Sequence, residues 1–344
     1  MMRGVHQTQR RVMICSGYEL WTSFFLRQAA NYLMKMMGEE SMERRIIQVQ
    51  EKLPLAQTIP LSLQHLFAMF GATVLVPFLF KVNPATSLLM NGIGTLIYLI
   101  IAKGRIPAYL GSSFAFISPV FAIMADPSLG GYAAAQGGFI MFGVFFVVVS
   151  QLVRVAGTRW IDVIFPPAAM GAIVAIIGLE LAPVATDMAG LTGKLIDQLK
   201  IPYATAVTVS MFTLGVTILC SILLRGFMAA IPVLLGVVAG YLFSIFMGIV
   251  DFASIASAAW FEVPTLYSPT FNASAMLMIM PAAFVVLAEH IGHLVVTGNI
   301  VEKDLVKDPG LDRSLLGDGI SNILSGFVGA TPNTTYGENI GVMA

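Results

Sequence analysis

The sequence predicts an all-α polytopic membrane protein, and three observations carry that prediction. Charged residues make up 11% of the 344 positions and hydrophobic residues 57%, with a mean hydropathy of +0.84. A soluble domain is about a quarter charged, so these few charges could not cover a soluble surface of this size. Apolar runs long enough to cross a hydrocarbon core of about 30 Å recur along the chain. Gly (32) and Met (20) are abundant, as in membrane helices where small residues let backbones approach. The 19 basic and 19 acidic residues cancel, and their scatter argues against a nucleic-acid partner. Two cysteines, Cys15 and Cys220, give neither a disulfide framework nor metal-ligand spacing.

In chain order, the runs predict crossings at about 58–80, 84–102, 133–152, 165–185, 204–224, 228–250, 275–297 and 314–328. Two further regions, 108–124 and 331–344, cross less cleanly. If the N-terminus is cytoplasmic and both irregular regions cross, the basic residues sort by side. The cytoplasmic segments from Met42 onward then hold Arg44, Arg45, Lys52, Lys103, Arg105, Arg154, Arg159, Arg225, Lys303, Lys307 and Arg313, against Lys81, Lys194 and Lys200 outside. The expected location is the inner membrane, multi-pass.

Residues 1–41 mix Trp21, Phe24 and Phe25 with Arg10, Arg11, Arg27 and Lys35. They lack an apolar core followed by a small-residue cleavage site, which argues against a signal peptide. They read as part of a cytoplasmic extension over 1–52, or as sequence upstream of a true start at Met42. Gly38-Glu39-Glu40 can be encoded by a purine-rich stretch resembling a ribosome-binding site. The chain stops at Asn339-Ile340-Gly341-Val342-Met343-Ala344, inside an apolar segment, and is expected to be a fragment.

Ionisable residues inside membrane spans are costly and are candidates for function. Glu289 and His293 stand four apart in Ala288-Glu289-His290-Ile291-Gly292-His293 and share a helix face. His290 points roughly 100° away from Glu289. A carboxylate beside an imidazole can exchange a proton; the plainer reading is a hydrogen bond joining two helices. Glu180 lies near the end of its span, where its charge reaches the interface cheaply. His65, in Leu63-Gln64-His65-Leu66-Phe67, reads alone as a packed polar residue. Glu289-His290-x-x-His293 inverts the zinc-protease motif, which places two His at i and i+4 around the Glu. No metal and no cofactor are expected.

The irregular regions share a design. Gly111-Ser112-Ser113-Phe114-Ala115-Phe116-Ile117-Ser118-Pro119 and Thr331-Pro332-Asn333-Thr334-Thr335-Tyr336-Gly337-Glu338-Asn339 combine small polar residues, aromatics and Pro. Both favour extended backbone. Such backbone survives at membrane depth where protein or a polar cavity satisfies it. A matched pair of interrupted segments points to a transporter binding site. An extended stretch leading into a half-helix offers free N–H donors at the positive end of a dipole. That suits the carbonyl oxygens of a small planar ligand. Glu289 and Glu338 would accept its ring N–H groups, and Phe114 and Tyr336 could pack on its faces.

These motifs, together with Gln57-Thr58-Ile59-Pro60-Leu61-Ser62-Leu63-Gln64-His65-Leu66-Phe67-Ala68-Met69-Phe70-Gly71 and Phe165-Pro166-Pro167-Ala168-Ala169-Met170-Gly171, resemble the nucleobase–ascorbate transporter family over about 53–344. The resemblance implies fourteen segments in two inverted repeats of seven, with about ten present here. It implies core segments 1–4 in 53–155, gate segments 5–7 in 156–252, an outer linker at 253–274, and an incomplete set of core segments 8–10 in 275–344. Segments 3 and 10 would begin as short strands flanking the substrate. By matched position, Glu289 and Glu338 would bind substrate, with the backbone N–H groups of Phe114 and Gly337 on its oxygens and Tyr336 nearby. Glu289, His293 and His65 would serve proton coupling. Glu338 stands where purine-carrying relatives commonly have Gln, which implies uracil rather than xanthine or urate. The implied activity is proton-coupled uracil import by alternating access, with uracil, proton and the lipid bilayer as partners and a homodimer in full-length relatives. The alternatives are another nucleobase, an anion carried by a similar fold, or a truncated product that does not transport. An enzyme would need a nucleophile–base pair or a metal set at one depth, and the sequence offers neither.

Overall fold

A computed structural model describes residues 47–164, 178–192, 201–225, 231–252 and 263–343, with isolated positions at 166, 172, 175, 176 and 228. The expectations for 1–41, for 165–171 apart from position 166, and for 253–262 of the 253–274 linker fall outside the described residues.

The first crossing is two helices in succession, α1 (Leu55–Ala68) and α2 (Phe70–Leu79), joined at Met69. Each holds an internal proline, Pro60 and Pro77, which removes a backbone donor and bends its helix. Asn83 caps α3 (Pro84–Ile101) by accepting from Ala85 N–H at 2.9 Å, with Pro84 as the first helical residue. Strand β1 (Leu110–Ser112), a 3₁₀ turn (Phe114–Phe116) and α4 (Ile117–Ala125) follow. Next come α5 (Gly131–Ala156) and two short helices, α6 (Arg159–Ile164) and α7 (Ala182–Met188). Helices α8 (Tyr203–Leu223) and α9 (Pro232–Phe246) lead to α10 (Ala273–Ile300). The described chain closes with α11 (Leu311–Val328), β2 (Asn333–Thr335) and α12 (Gly337–Met343). The paired strands within a helical bundle agree with the reading of the two irregular regions.

Among the described residues, five helical stretches are long and apolar enough to cross a membrane: Leu55–Leu79, α3, α5, α8 and α10. Helix α8 buries none of its residues, as a lipid-facing helix would. Helix α11 differs. It was expected as an apolar crossing over 314–328, yet it buries Ser314, Asp318, Ser321, Asn322 and Ser325. It can carry them because it packs against α3 and α5, where neighbouring helices rather than lipid meet its polar face.

Glycines set the closest approach. A Cβ on Gly143 of α5 would lie 2.6 Å from the Gly319 carbonyl oxygen, and one on Gly319 would lie 2.8 Å from the Gly143 carbonyl. The two backbones therefore touch, as in small-residue membrane crossings. Phe116, Phe139, Phe142 and Phe146, all 0% exposed, fill the space between the half-helix of Phe114–Ala125 and α5. Helices α8 and α9 pack chiefly on each other, and α9 reaches α1 and α2 along a narrow seam.

The strands are antiparallel, with Leu110 opposite Thr335, Gly111 opposite Thr334 and Ser112 opposite Asn333. Two strands leave outer edges that need partners, and α11 supplies them to β2. Asn322 Nδ2 donates to the Asn333 carbonyl at 2.9 Å, and its Oδ1 accepts from Asn333 N–H at 2.8 Å. Asn322 Nδ2 also reaches Asp318 Oδ1 at 3.0 Å. Asn333 Nδ2 donates to Ser321 and Ser325. On β1, Thr95 accepts from Leu110 N–H at 3.0 Å, and Ser112 pairs with Thr331 at 2.7 Å.

Two substitutions test this frame by thermal unfolding in detergent. Gly319→Val should cost about 1–3 kcal/mol, because the α5 backbone leaves no room for the side chain. Asn322→Leu should cost about 1–3 kcal/mol for each buried group it orphans, the N–H and C=O of Asn333 among them. A melting midpoint equal to that of the parent would contradict either assignment.

Candidate functional site

The site lies where each strand hands over to its helix. Pairing runs past the ladder: Ser113 N–H donates to the Pro332 carbonyl at 3.0 Å, and Tyr336 N–H to the Tyr109 carbonyl at 3.0 Å. Phe114 then opens one half-helix and Gly337 opens α12. The first N–H groups of a helix have no acceptor within it, so both starts present donors at the positive ends of helix dipoles. The structure thus places Phe114 and Gly337 at equivalent positions after paired strands.

Helix α10 brings Glu289 and His293 to the same place. His293 Nδ1 lies 2.8 Å from the Thr335 carbonyl and 3.1 Å from its hydroxyl. A carbonyl oxygen can only accept, so Nδ1 carries a hydrogen. The other ring nitrogen, Nε2, faces Glu289 Oε1 at 4.0 Å, a gap that one side-chain rotation or one bridging water closes. A Cβ on Gly337 would sit 3.2 Å from His293 Nε2, so glycine lets the start of α12 lie against the imidazole.

Glu338 is exposed and lines two cavities. One, of about 440 Å³, is shared with Phe114, Leu75, Phe78 and Val237. The other, of about 290 Å³, is shared with Phe67, Pro232 and Val342. Tyr336 is 5% exposed. Its ring packs over Gly111, where a Cβ would come within 2.6 Å of Cδ2, and meets Tyr109 edge-on at 5.9 Å. It therefore fixes the strands from behind.

His65 is held by the residue after Glu338. Asn339 Nδ2 donates to the His65 carbonyl at 3.1 Å, which fixes which way the amide points, and it lies 3.1 Å from His65 Nδ1. Nδ1 is then an acceptor, and the ring hydrogen sits on Nε2. This clamp ties α1 to α12. Glu180 lies apart, lining a recess of about 510 Å³ with Ser118, Pro119 and Pro281.

One residue was missed in the sequence. Asp318 lies inside the 314–328 run, so an acid within a span was the available signal. It is 0% exposed and 3.0 Å from His290 Nδ1. His290 Nε2 and the Tyr98 hydroxyl each lie 2.7 Å from Ser314 Oγ. His290 thus turns away from Glu289, as its helical position predicted, into a buried polar chain that ends on strand β2 through Asn322. Among the described residues, no three His, Cys, Asp or Glu side chains converge as metal ligands would.

A sequence model described as "Permease family" matches residues 56–344. The chain is 63% identical to the uracil permease of Escherichia coli (strain K12) over 303 residues, covering 88% of this chain and 69% of that one. It is 57% identical to the uracil permease of Paenibacillus larvae, covering 88% of this chain and 71% of that one. For the uracil permease of Bacillus subtilis (strain 168) the identity is 46%, covering 83% and 66%. Among solved structures, the transmembrane domain of a cyanobacterial bicarbonate transporter, BicA, matches with a TM-score of 0.60 at 17% identity, covering 86% of this chain and 79% of that one; this likeness concerns the fold. With strand-started half-helices, several apolar spans and matches of this extent, the chain belongs to the permease family, as a multi-pass membrane protein of the nucleobase–ascorbate transporter group that its motifs resemble.

Proposed function

We propose that the chain carries the substrate site of a proton-coupled uracil importer of the inner membrane, with its N-terminus in the cytoplasm. The observation that supports this most is the convergence of Glu338, Phe114 and Gly337 beside the Glu289–His293 pair. The relatives named uracil permease support the choice of substrate.

Uracil presents N–H donors and C=O acceptors along one edge of a flat ring. The carboxylates of Glu338 and Glu289 accept its N–H groups, and the N–H groups of Phe114 and Gly337 meet its oxygens. Glu338 lines the cavities and Glu289 stands behind it against His293; two carboxylates this near repel each other in a medium of low dielectric. A proton taken up with uracil removes one of those charges. His293 holds its Nδ1 hydrogen on Thr335, so its Nε2 is free to take the proton from Glu289 or return it. Release of the proton on the far side restores the repulsion and loosens the substrate. Residues 53–155 and 275–344 would form the core that carries the site, and 156–252 the gate against which it moves.

Labelled uracil uptake into proteoliposomes under an inward proton gradient tests the reading. Glu338→Gln should weaken uracil binding roughly 10–100-fold, the loss expected for a hydrogen bond to a charged group. Glu289→Gln should abolish the gradient dependence of uptake, and uptake that still follows the gradient would remove Glu289 from coupling. Equal competition by unlabelled xanthine would move the substrate class to purines.

A further inference from the structure

The two cavities that touch Glu338 adjoin each other. Both are lined by Ala68, Phe70, Gly71 and Val233. The smaller reaches Phe67, Ile231 and Pro232, toward the α1 end of α2 and the first turn of α9. The larger reaches Leu75 and Phe78 along α2 and Val237 along α9. The cavities therefore lie in series along the two helices, on either side of the shared residues. A Cβ on Gly71 would lie 3.8 Å from Val233 Cγ1, so what separates α2 from α9 here is the room of a missing methyl group.

We propose that Gly71 and Val233 form the pinch of the substrate path, dividing a chamber on the Phe114 side from a chamber on the Pro232 side, with Glu338 reached from both. The pinch spans the narrow seam between α2 and the α8–α9 pair, so a slide of that pair against α2 widens it without disturbing the strands. Glycine leaves a gap that a flat ring can use once the helices part. The identity of the cargo rests on the uracil reading; the pinch itself does not.

The first test needs no substrate. In a chain with Cys15 and Cys220 replaced by Ser, a single Leu75→Cys thiol sits in the larger chamber. A membrane-impermeant methanethiosulfonate reagent is applied from the membrane face that the Pro232 end approaches. Adding Gly71→Ala should slow labelling about tenfold, equivalent to a small rise in the opening barrier. Adding Val233→Ala as well should restore the rate to within about twofold, the signature of two residues acting on one gap. The alanine variant should fold, since Ala favours a helix over Gly by about 1 kcal/mol and its Cβ meets Val233 at ordinary contact distance. Labelling unaffected by Gly71→Ala, or unrestored by Val233→Ala, overturns the pinch. The second test is uptake. Gly71→Ala should slow uracil uptake about tenfold while the uracil Kd stays within about twofold. Equal loss of binding and uptake would overturn the pinch by making Gly71 a substrate contact. If labelling behaves as expected but the parent chain neither binds nor carries uracil, the pinch stands and the uracil reading fails.

Discussion

Two strands inside an apolar bundle carry backbone N–H and C=O groups that lipid cannot satisfy. The rest of the site depends on how that demand is met. The strands satisfy one edge of each other through the ladder of Leu110–Ser112 against Asn333–Thr335. The other edge of β2 needs a partner that both donates and accepts. The Asn322 amide does this with two bonds to Asn333. A side chain able to do so must be buried beside the strand, and it needs its own environment to hold it still. Asp318, one turn earlier, accepts from it, and His290 lies against Asp318. The polar character of α11 is thus a consequence of backbone chemistry two elements away.

The same demand explains where the chemistry sits. Short strands end abruptly, and each is followed by a helix whose first N–H groups have no acceptor within that helix. Pairing the strands places those two helix starts side by side. Thr335, the last residue of β2, presents its carbonyl to His293, which fixes the tautomer and aims the second ring nitrogen at Glu289. One backbone pairing therefore positions two helix starts and sets an imidazole beside a carboxylate. Neither arrangement requires a long-range electrostatic argument; both follow from groups within hydrogen-bond distance of the strands.

Much of this was legible in the sequence. Runs of apolar residues placed the long helices within a few positions, because hydropathy reports the solvent each helix meets. The extended stretches were legible from Ser, Thr, Pro and Gly, which favour strand or turn over helix. The shared face of Glu289 and His293 followed from helical spacing. What escaped was information held between elements. Asp318 sits in a run that hydropathy marked as a crossing, and its importance depends on Asn322 and His290 being beside it. The Asn339–His65 clamp joins residues 274 positions apart, which no local pattern encodes. The division of the first crossing at Met69 was hidden as well, since Pro60 and Pro77 signal bends but not where the helix breaks. The start of α9 at Pro232 rather than near 228 reflects the preference of Pro for a first helical position.

Glu338 occupies a different mechanical position from the groups behind it. Glu289, His293 and Thr335 are tied into the bundle through α10, α11 and the strands. Glu338 follows the strand, and it faces cavities whose opposite wall is α9. In the proposed function a ligand held between Phe114 and Glu338 would touch both sides of the seam. A ligand can shift an equilibrium only by as much as it binds one state better than the other. Contacts confined to the bundle would bind equally well however α9 sat, and could not drive its movement. The contacts that would couple occupancy to motion in the proposed function are those across the seam, on α9. In the proposed function recognition would belong to the strands and their polar frame, and the capacity for movement to the thin apolar contact opposite them.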